Sequence, residues 1–499
     1  MKLKVIVVLW LLVNGIRPSV RAASTPYFDF NNRCKEAYSN IYELKFQVAT
    51  DLLNAEKSQH PDNLVTDYLT HYILFLKTFI GEEQQDFIAL RKNSDRLNKL
   101  FDQSRESPYK NYLLAEINLM TAFNKIKFKE FVSGALEVRR AFKLLEENNK
   151  KYPEFVLNKK CLGLLHAFIG AVPENYQWLV TIAGMSGDIQ SGINELRRIY
   201  ESSASNESEF NFMHRETGFI YLFTKQQLQP DINSTLGLLK EMNVTDNPLE
   251  IFFACNLYYS AGKSDKVLDI LNKFKYPEDS YPIHYLSYIK GLAELGELQA
   301  ESFSNFNNYV KLYKGNSFIK AAYQKMAWTE LLDSDTAGYK KWMSLLITKG
   351  NTFTDEDKQA DKEARNKMIP NIYLLKARIL FDGGNYKKAL HFLATPEEGD
   401  IPSLENKLEY IYRLARVFEK LNITDQAKAN YEKTIRIGSA MKEYYAAAAA
   451  VFLAQIYEKE KNFTEAEKYY RKALGMKNHD YQNSLDQKAR AGLNRIKRQ

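Results

Sequence analysis

The side chains able to do chemistry lie scattered along this chain. Its seven histidines, His60, His71, His166, His214, His284, His391 and His479, show no metal-ligand spacing. There is no H-E-x-x-H, no G-x-S-x-G, no phosphate-binding glycine loop and no C-x2-C. No catalytic residue, metal or cofactor is therefore assigned. Gly184-Met185-Ser186-Gly187-Asp188 has the glycines of an anion-binding turn, but they fall where a helix pair needs a tight turn and close packing at Gly192. Trp178 and Trp328 could stack on a sugar or a peptide, yet at helical spacing among apolar neighbours they read as core. Paired carboxylates for hydrolysis need a set separation, which spacing along a chain does not specify.

The elements that must position these residues are helices. Gly (22) and Pro (13) are scarce in 499 residues, while Tyr (32) and Phe (29) are abundant, so tight turns are few and many rings need burial. A 45% hydrophobic and 26% charged balance excludes wholesale disorder, and the length calls for several domains or a repeat array. Cys34, Cys161 and Cys255 are odd in number and far apart, which reads as buried free thiols.

Lys2 and Lys4 before the apolar run Val5 to Val13, with Val20-Arg21-Ala22 behind it, predict a signal peptide over 1–22. The run is too short to span a bilayer, and no later segment is long and uncharged enough, so no transmembrane segment is expected in the mature chain. Cleavage removes four basic residues, and the formal charge falls from +8 to +4. That remainder is too small and dispersed to imply nucleic acid.

The clearest repeat is C-terminal. Ala450-Val451-Phe452-Leu453-Ala454-Gln455-Ile456-Tyr457, followed by Ala466, Tyr470 and Ala473, matches W-x2-L-G-x2-Y…A-x3-F-x2-A with Ala450 in place of Trp. Small residues on the two helices let the backbones approach, and the rings fill the space above and below. Ile411, Leu414, Ala415, Phe418, Ala427 and Tyr431 fit the same template, as do Tyr373, Ala377, Leu380, Gly384, Ala389 and Leu393. A degenerate unit follows Ile251, Ala254, Cys255, Tyr258, Gly262, Val267 and Leu271.

On these residues the chain resembles the tetratricopeptide repeat family, strongly over 371–476 and weakly over most of 28–350, in a divergent exported bacterial form. The resemblance implies an all-α solenoid of antiparallel helix pairs in a right-handed superhelix. It divides the mature chain into a degenerate N-terminal helical half (23–200), central pairs (209–349), a charged insertion (350–369), and C-terminal repeats with a capping helix (370–499). It also implies a concave groove for a protein or peptide partner, lined by the first helix of each repeat: Asn371, Leu374 and Arg378; Glu409, Tyr412 and Arg416; Ala448, Val451, Gln455 and Lys459. Arg378 and Arg416 occupy equivalent places, where two guanidinia could clasp a carboxylate; the alternative is a solvated face with local ion pairs.

The function expected is that of a non-catalytic exported scaffold, periplasmic or outer-membrane associated if the chain is bacterial. Two alternatives remain: a glycan-binding nutrient-uptake protein, and a helical-toroid hydrolase. Five N-x-S/T sequons, at Asn206, Asn233, Asn243, Asn422 and Asn462, would matter only in a eukaryotic secretory route.

Overall fold

The computed structural model describes residues 25–172, 177–229, 231–242, 244, 246–396, 401 and 403–497. The expected signal segment 1–22, residues 174–176 before Trp178 and the sequon at Asn243 lie outside them. Among the described residues the chain is all-helical, with one isolated parallel bridge between Tyr27 and Asn63.

Two compact units share the chain. One holds the residues up to 243 with 247–249 and 276–282; the other holds 244–246, 250–275 and 283–499. Helices of the first are α1 Asn32–Tyr42, α2 Phe46–Gln59, α3 Val65–Gly81, α4 Gln84–Asp102, α5 Pro108–Lys127, α6 Phe131–Lys151, α7 Asn158–Gly170, α8 Gln177–Ile182, α9 Ile189–Ser203, α10 His214–Leu228 and α11 Ile232–Glu241. Those of the second are α12 Pro248–Ser260, α13 Ser264–Lys273, α14 Tyr285–Gly296, α15 Ser302–Leu312, α16 Ile319–Leu332, α17 Thr336–Thr348, α18 Asp355–Asn366, α19 Ile372–Asp382, α20 Tyr386–Ala394, α21 Leu404–Lys420, α22 Thr424–Gly438, α23 Tyr445–Lys459, α24 Phe463–Gly475 and α25 Gln482–Ile496.

One turn recurs between paired helices. A residue with left-handed backbone ends the first helix, and the next N–H bonds the carbonyl five residues back, satisfying an end that would otherwise be orphaned. The left-handed residues are Leu44, Lys129 and Gly184 in the first unit, and Gly262, Leu298, Ser334, Gly384, Asn422 and Lys461 in the second. The closing bonds, from Lys45→Asn40 to Asn462→Tyr457, measure 2.7–3.1 Å. The acceptors Tyr258, Leu380, Phe418 and Tyr457 are the residues that close the first-helix half of the sequence template. Only three of the nine positions are Gly, so the turn has no fixed residue signature in the sequence.

Side-chain size sets how closely paired helices approach. Ala377 faces the second-helix Ala389, and Ala415 with Ala427 and Ala454 with Ala466 repeat the arrangement, all essentially inaccessible. Tyr431 and Tyr470 fill the space beside them, also fully buried. In the first unit Gly192 does the same work: a Cβ there would lie 2.4 Å from the carbonyl oxygen of Gly163. Gly184 forms the turn and Asp188 caps α9 by accepting from Ser191 N, so the glycine-rich segment is structural, as expected. The final helix covers the array by burying Leu485, Ala489, Leu493 and Ile496.

The charged segment 350–369 reads in sequence as an insertion or an exposed polar helix. It is α18, and it is docked. Thr354 caps it, and Asp357, Ala360 and Ala364 are buried along one face. Asp357 accepts from Phe318 N at 2.7 Å and Ala321 N at 3.0 Å, so it satisfies the amides at the start of α16. Composition hid this because a mostly charged helix needs few apolar residues to dock when an acid caps its neighbour.

Candidate functional site

The second unit contains a cavity of about 370 Å³, walled by α18, α19, α21, α23 and α25. Arg378, Tyr412 and Arg416, three of the residues assigned to a partner groove, are among its walls. Asn371, Gln455 and Lys459 are not among its walls. Asn371 instead caps α19, its side chain accepting from Tyr373 N and Leu374 N. Gln455 is half-buried and Lys459 is exposed. Arg413, Asp382, Tyr444 and Lys488 line the cavity without having been singled out. Arg413 was within reach of sequence reasoning, since it lies three residues before Arg416 and so on the same helix face.

The three arginines are not equivalent. Arg416 donates to Glu419 at 2.8 Å and to the Tyr431 hydroxyl at 3.4 Å, and its guanidinium lies 3.7 Å from the Phe452 ring centroid. Arg413 is paired with Glu409, its Nε donating at 2.6 Å. Among the described residues Arg378 pairs only with Asp382, at 4.0 Å, and it stacks 4.8 Å from the centroid of Trp328. Burial opposes the charge of all three, but nearby carboxylates and phenols outweigh it and hold each guanidinium above its ordinary value.

Burial likewise pushes up the phenols of Tyr412 and Tyr444, so both remain O–H donors at neutral pH. Neither hydroxyl has a hydrogen-bond partner among the described residues. Arg378, Tyr412 and Tyr444 thus leave donors unspent at one cavity, an arrangement suited to an anionic or carbonyl oxygen.

The first unit holds a different polar centre. Lys160 Nζ lies 2.8 Å from both Glu116 Oε1 and Glu216 Oε2. Tyr72 donates to Glu216 at 2.6 Å and Tyr112 to Glu116 at 2.9 Å, while Tyr38 and Tyr68 bond Glu216 and Glu116 respectively. Two acids in one buried place are what a toroid hydrolase requires, but here an ammonium and four phenols occupy their oxygens. Glu216 also borders a cavity of about 250 Å³ with Tyr38 and His214.

Elsewhere, Trp328 is 2% exposed and Trp178 is 58% exposed. Burial pushes His71 down to about 3, making it a neutral core histidine. No set of three or more His, Cys, Asp or Glu among the described residues is placed to hold a metal ion. No described helix is long and apolar enough to cross a membrane.

Residues 447–480 match the tetratricopeptide repeat family model, a stretch that spans most of α23 and all of α24. No curated protein matches the chain. Such repeats in general support protein–protein interaction. The matched repeat supports a tetratricopeptide repeat family, and the helical architecture, with the same closing turn recurring in both units, fits a divergent member of it.

Proposed function

We propose that this protein is an exported, non-catalytic scaffold that holds a protein partner through the α18–α25 cavity, gripping an acidic side chain or backbone carbonyl of that partner. The observation that carries this reading is the unspent donor set of Arg378, Tyr412 and Tyr444 at one cavity. A guanidinium with no close carboxylate gains most from a ligand that supplies one. Arg416, assigned to the groove with Arg378 from their shared repeat position, supports the wall through Glu419 and Phe452 rather than reaching for a partner. Export rests on the basic and apolar pattern of residues 1–22, and mass spectrometry of the mature native protein should find Ala23 first.

Capture of a partner from the native envelope, read by mass spectrometry, tests the grip. Arg378→Ala together with Tyr412→Phe should lower recovery at least tenfold while circular dichroism stays unchanged; equal recovery would remove the cavity from the reading. The hydrolase reading has less behind it, because the buried acids of the first unit are committed to Lys160. For the glycan-binding reading Trp328 is core, whereas Trp178, expected in the core, is exposed, so glycan-array binding that depends on Trp178 would favour that reading.

A further inference from the structure

The first unit carries an apolar strip at its surface that the proposed partner grip does not use. On α6, Val132, Leu136, Arg139 and Lys143 follow one another at steps of four, three and four residues, so they form one stripe of the helix. Val132 is 80% exposed, and Phe131 and Leu136 beside it are exposed as well. Arg139 Nε donates to Ala183 O at 2.8 Å, which brings the end of α8 alongside the stripe. There Trp178 and Ile182, one turn apart, also project, Ile182 being 74% exposed. At the other end the ion pair of Arg91 with Glu130, at 3.0 Å, sets α4 and its exposed Ile88 next to the start of α6.

The strip stands on a positive surface. Residues 125–143 hold six basic side chains and two acidic ones. Both acids are already bridged, Glu130 to Arg91, and Glu137 to Lys125 at 2.8 Å and to Arg140 at 3.2 Å. Lys127 is met by Glu82 at 3.0 Å. The rest of α6 sets Glu146 and Glu147 against Lys150 and Lys151 and leaves the balance unchanged.

We propose that this face of the first unit docks on the surface of an anionic membrane. The exposed apolar side chains of α6 and α8 enter the boundary between headgroups and acyl chains, where an indole such as that of Trp178 is favoured, and Arg140 and Lys143 meet lipid phosphates. The charge selects lipid over a second copy of the chain, because a two-fold contact would set the same positive patch against itself. Side chains that stand this far out would need matching pockets on a protein partner, whereas acyl chains conform to them. The contact is peripheral and crosses nothing.

Co-sedimentation of the native protein with vesicles of phosphatidylglycerol and phosphatidylcholine in equal parts tests the docking, with phosphatidylcholine alone as control. The anionic vesicles should bind at least about tenfold more tightly, and the preference should shrink as salt is raised. Tryptophan emission should shift to the blue on binding, a change that Trp178→Phe abolishes. Val132→Asp with Leu136→Gln should weaken binding by about tenfold or more. Both positions are exposed, and an acid in the first turn suits a helix N-terminus, so circular dichroism should stay the same. Arg140→Glu with Lys143→Glu should remove the preference for anionic lipid. Residues 1–22 are common to all these variants, so binding through that segment would leave them equal to wild type and would overturn the proposal. So would a lack of preference for anionic vesicles, or a dimer broken by the Val132 and Leu136 replacements in a protein that ignores vesicles. The vesicles hold no protein partner and the variants leave the α18–α25 cavity untouched, so the outcome is independent of the capture experiment.

Discussion

Lys160 and Glu216 form an ion pair at 2.8 Å in the buried centre of the first unit, and the same ammonium holds Glu116 at 2.8 Å. Desolvation opposes both charges, yet mutual attraction and the tyrosine donors win, raising Lys160 and lowering Glu216. A raised lysine contributes stability that is complete below its unfolded value and lost as pH climbs through the folded one. A lowered carboxylate contributes stability that is complete above its unfolded value and lost as pH falls through the folded one. The Lys160–Glu216 pair therefore contributes its full stability from about pH 5 to about pH 10.

Lys160→Met leaves two buried acids facing each other without a counter-ion. The variant is expected to lose about 3–5 kcal/mol. Its remaining stability should also decline from pH 5 to pH 8, since the folded state then prefers protonated acids and the unfolded state does not. Urea unfolding at the two pH values checks this; a loss independent of pH would contradict the ionised triad.

Arg378 and Arg416 share a repeat position but should contribute unequally to thermal stability. Arg416→Ala leaves the partly buried Glu419 with Tyr431 as donor but without its cation, and uncovers Phe452, costing about 2–4 kcal/mol. Arg378→Ala removes a distant ion pair and one stacking contact, worth under about 1.5 kcal/mol. Equal losses would mean that the distinction between supporting and free guanidinium is wrong.

The repeated turn makes its own prediction. A Cβ on Gly384 would lie 1.7 Å from the Gly262 carbonyl oxygen, and its φ is +87°, so Gly384→Ala should cost more than about 3 kcal/mol. Lys461 occupies the corresponding place with φ +59°. Lys461→Gly relieves the left-handed strain against a smaller entropy cost, and a gain of about 0.5–1 kcal/mol in calorimetry is expected.

Asp357 joins α18 to the first turn of α16. Asp357→Ala strands the amides of Phe318 and Ala321, and a loss of about 2–3 kcal/mol should follow, with Asn restoring part of it. Faster proteolysis within 350–369 in the Ala variant would locate the damage.

Cys34, Cys161 and Cys255 are free and buried, and burial pushes Cys34 and Cys255 up to about 12. An aromatic disulfide reagent should titrate no thiol in the native protein and all three after unfolding; rapid native reaction at any of them would contradict the packing.

Sequence by itself determined the helical class, the C-terminal repeat, the capping helix and the structural use of Gly184 and Gly192. Each depends on interactions within a few turns of one helix or between neighbours in the chain, where spacing and residue size carry the information. The equivalence of Arg378 and Arg416 was legible for the same reason, because one repeat position maps to one face. The tertiary structure alone decided that Asn371 is a cap, that the charged segment is a docked helix, that Arg416 is engaged while Arg378 is not, and that Lys160 joins two acids a hundred residues apart. Those outcomes depend on which side chains meet across sequence-distant helices, and on the low dielectric they meet in. Residue type and spacing specify neither.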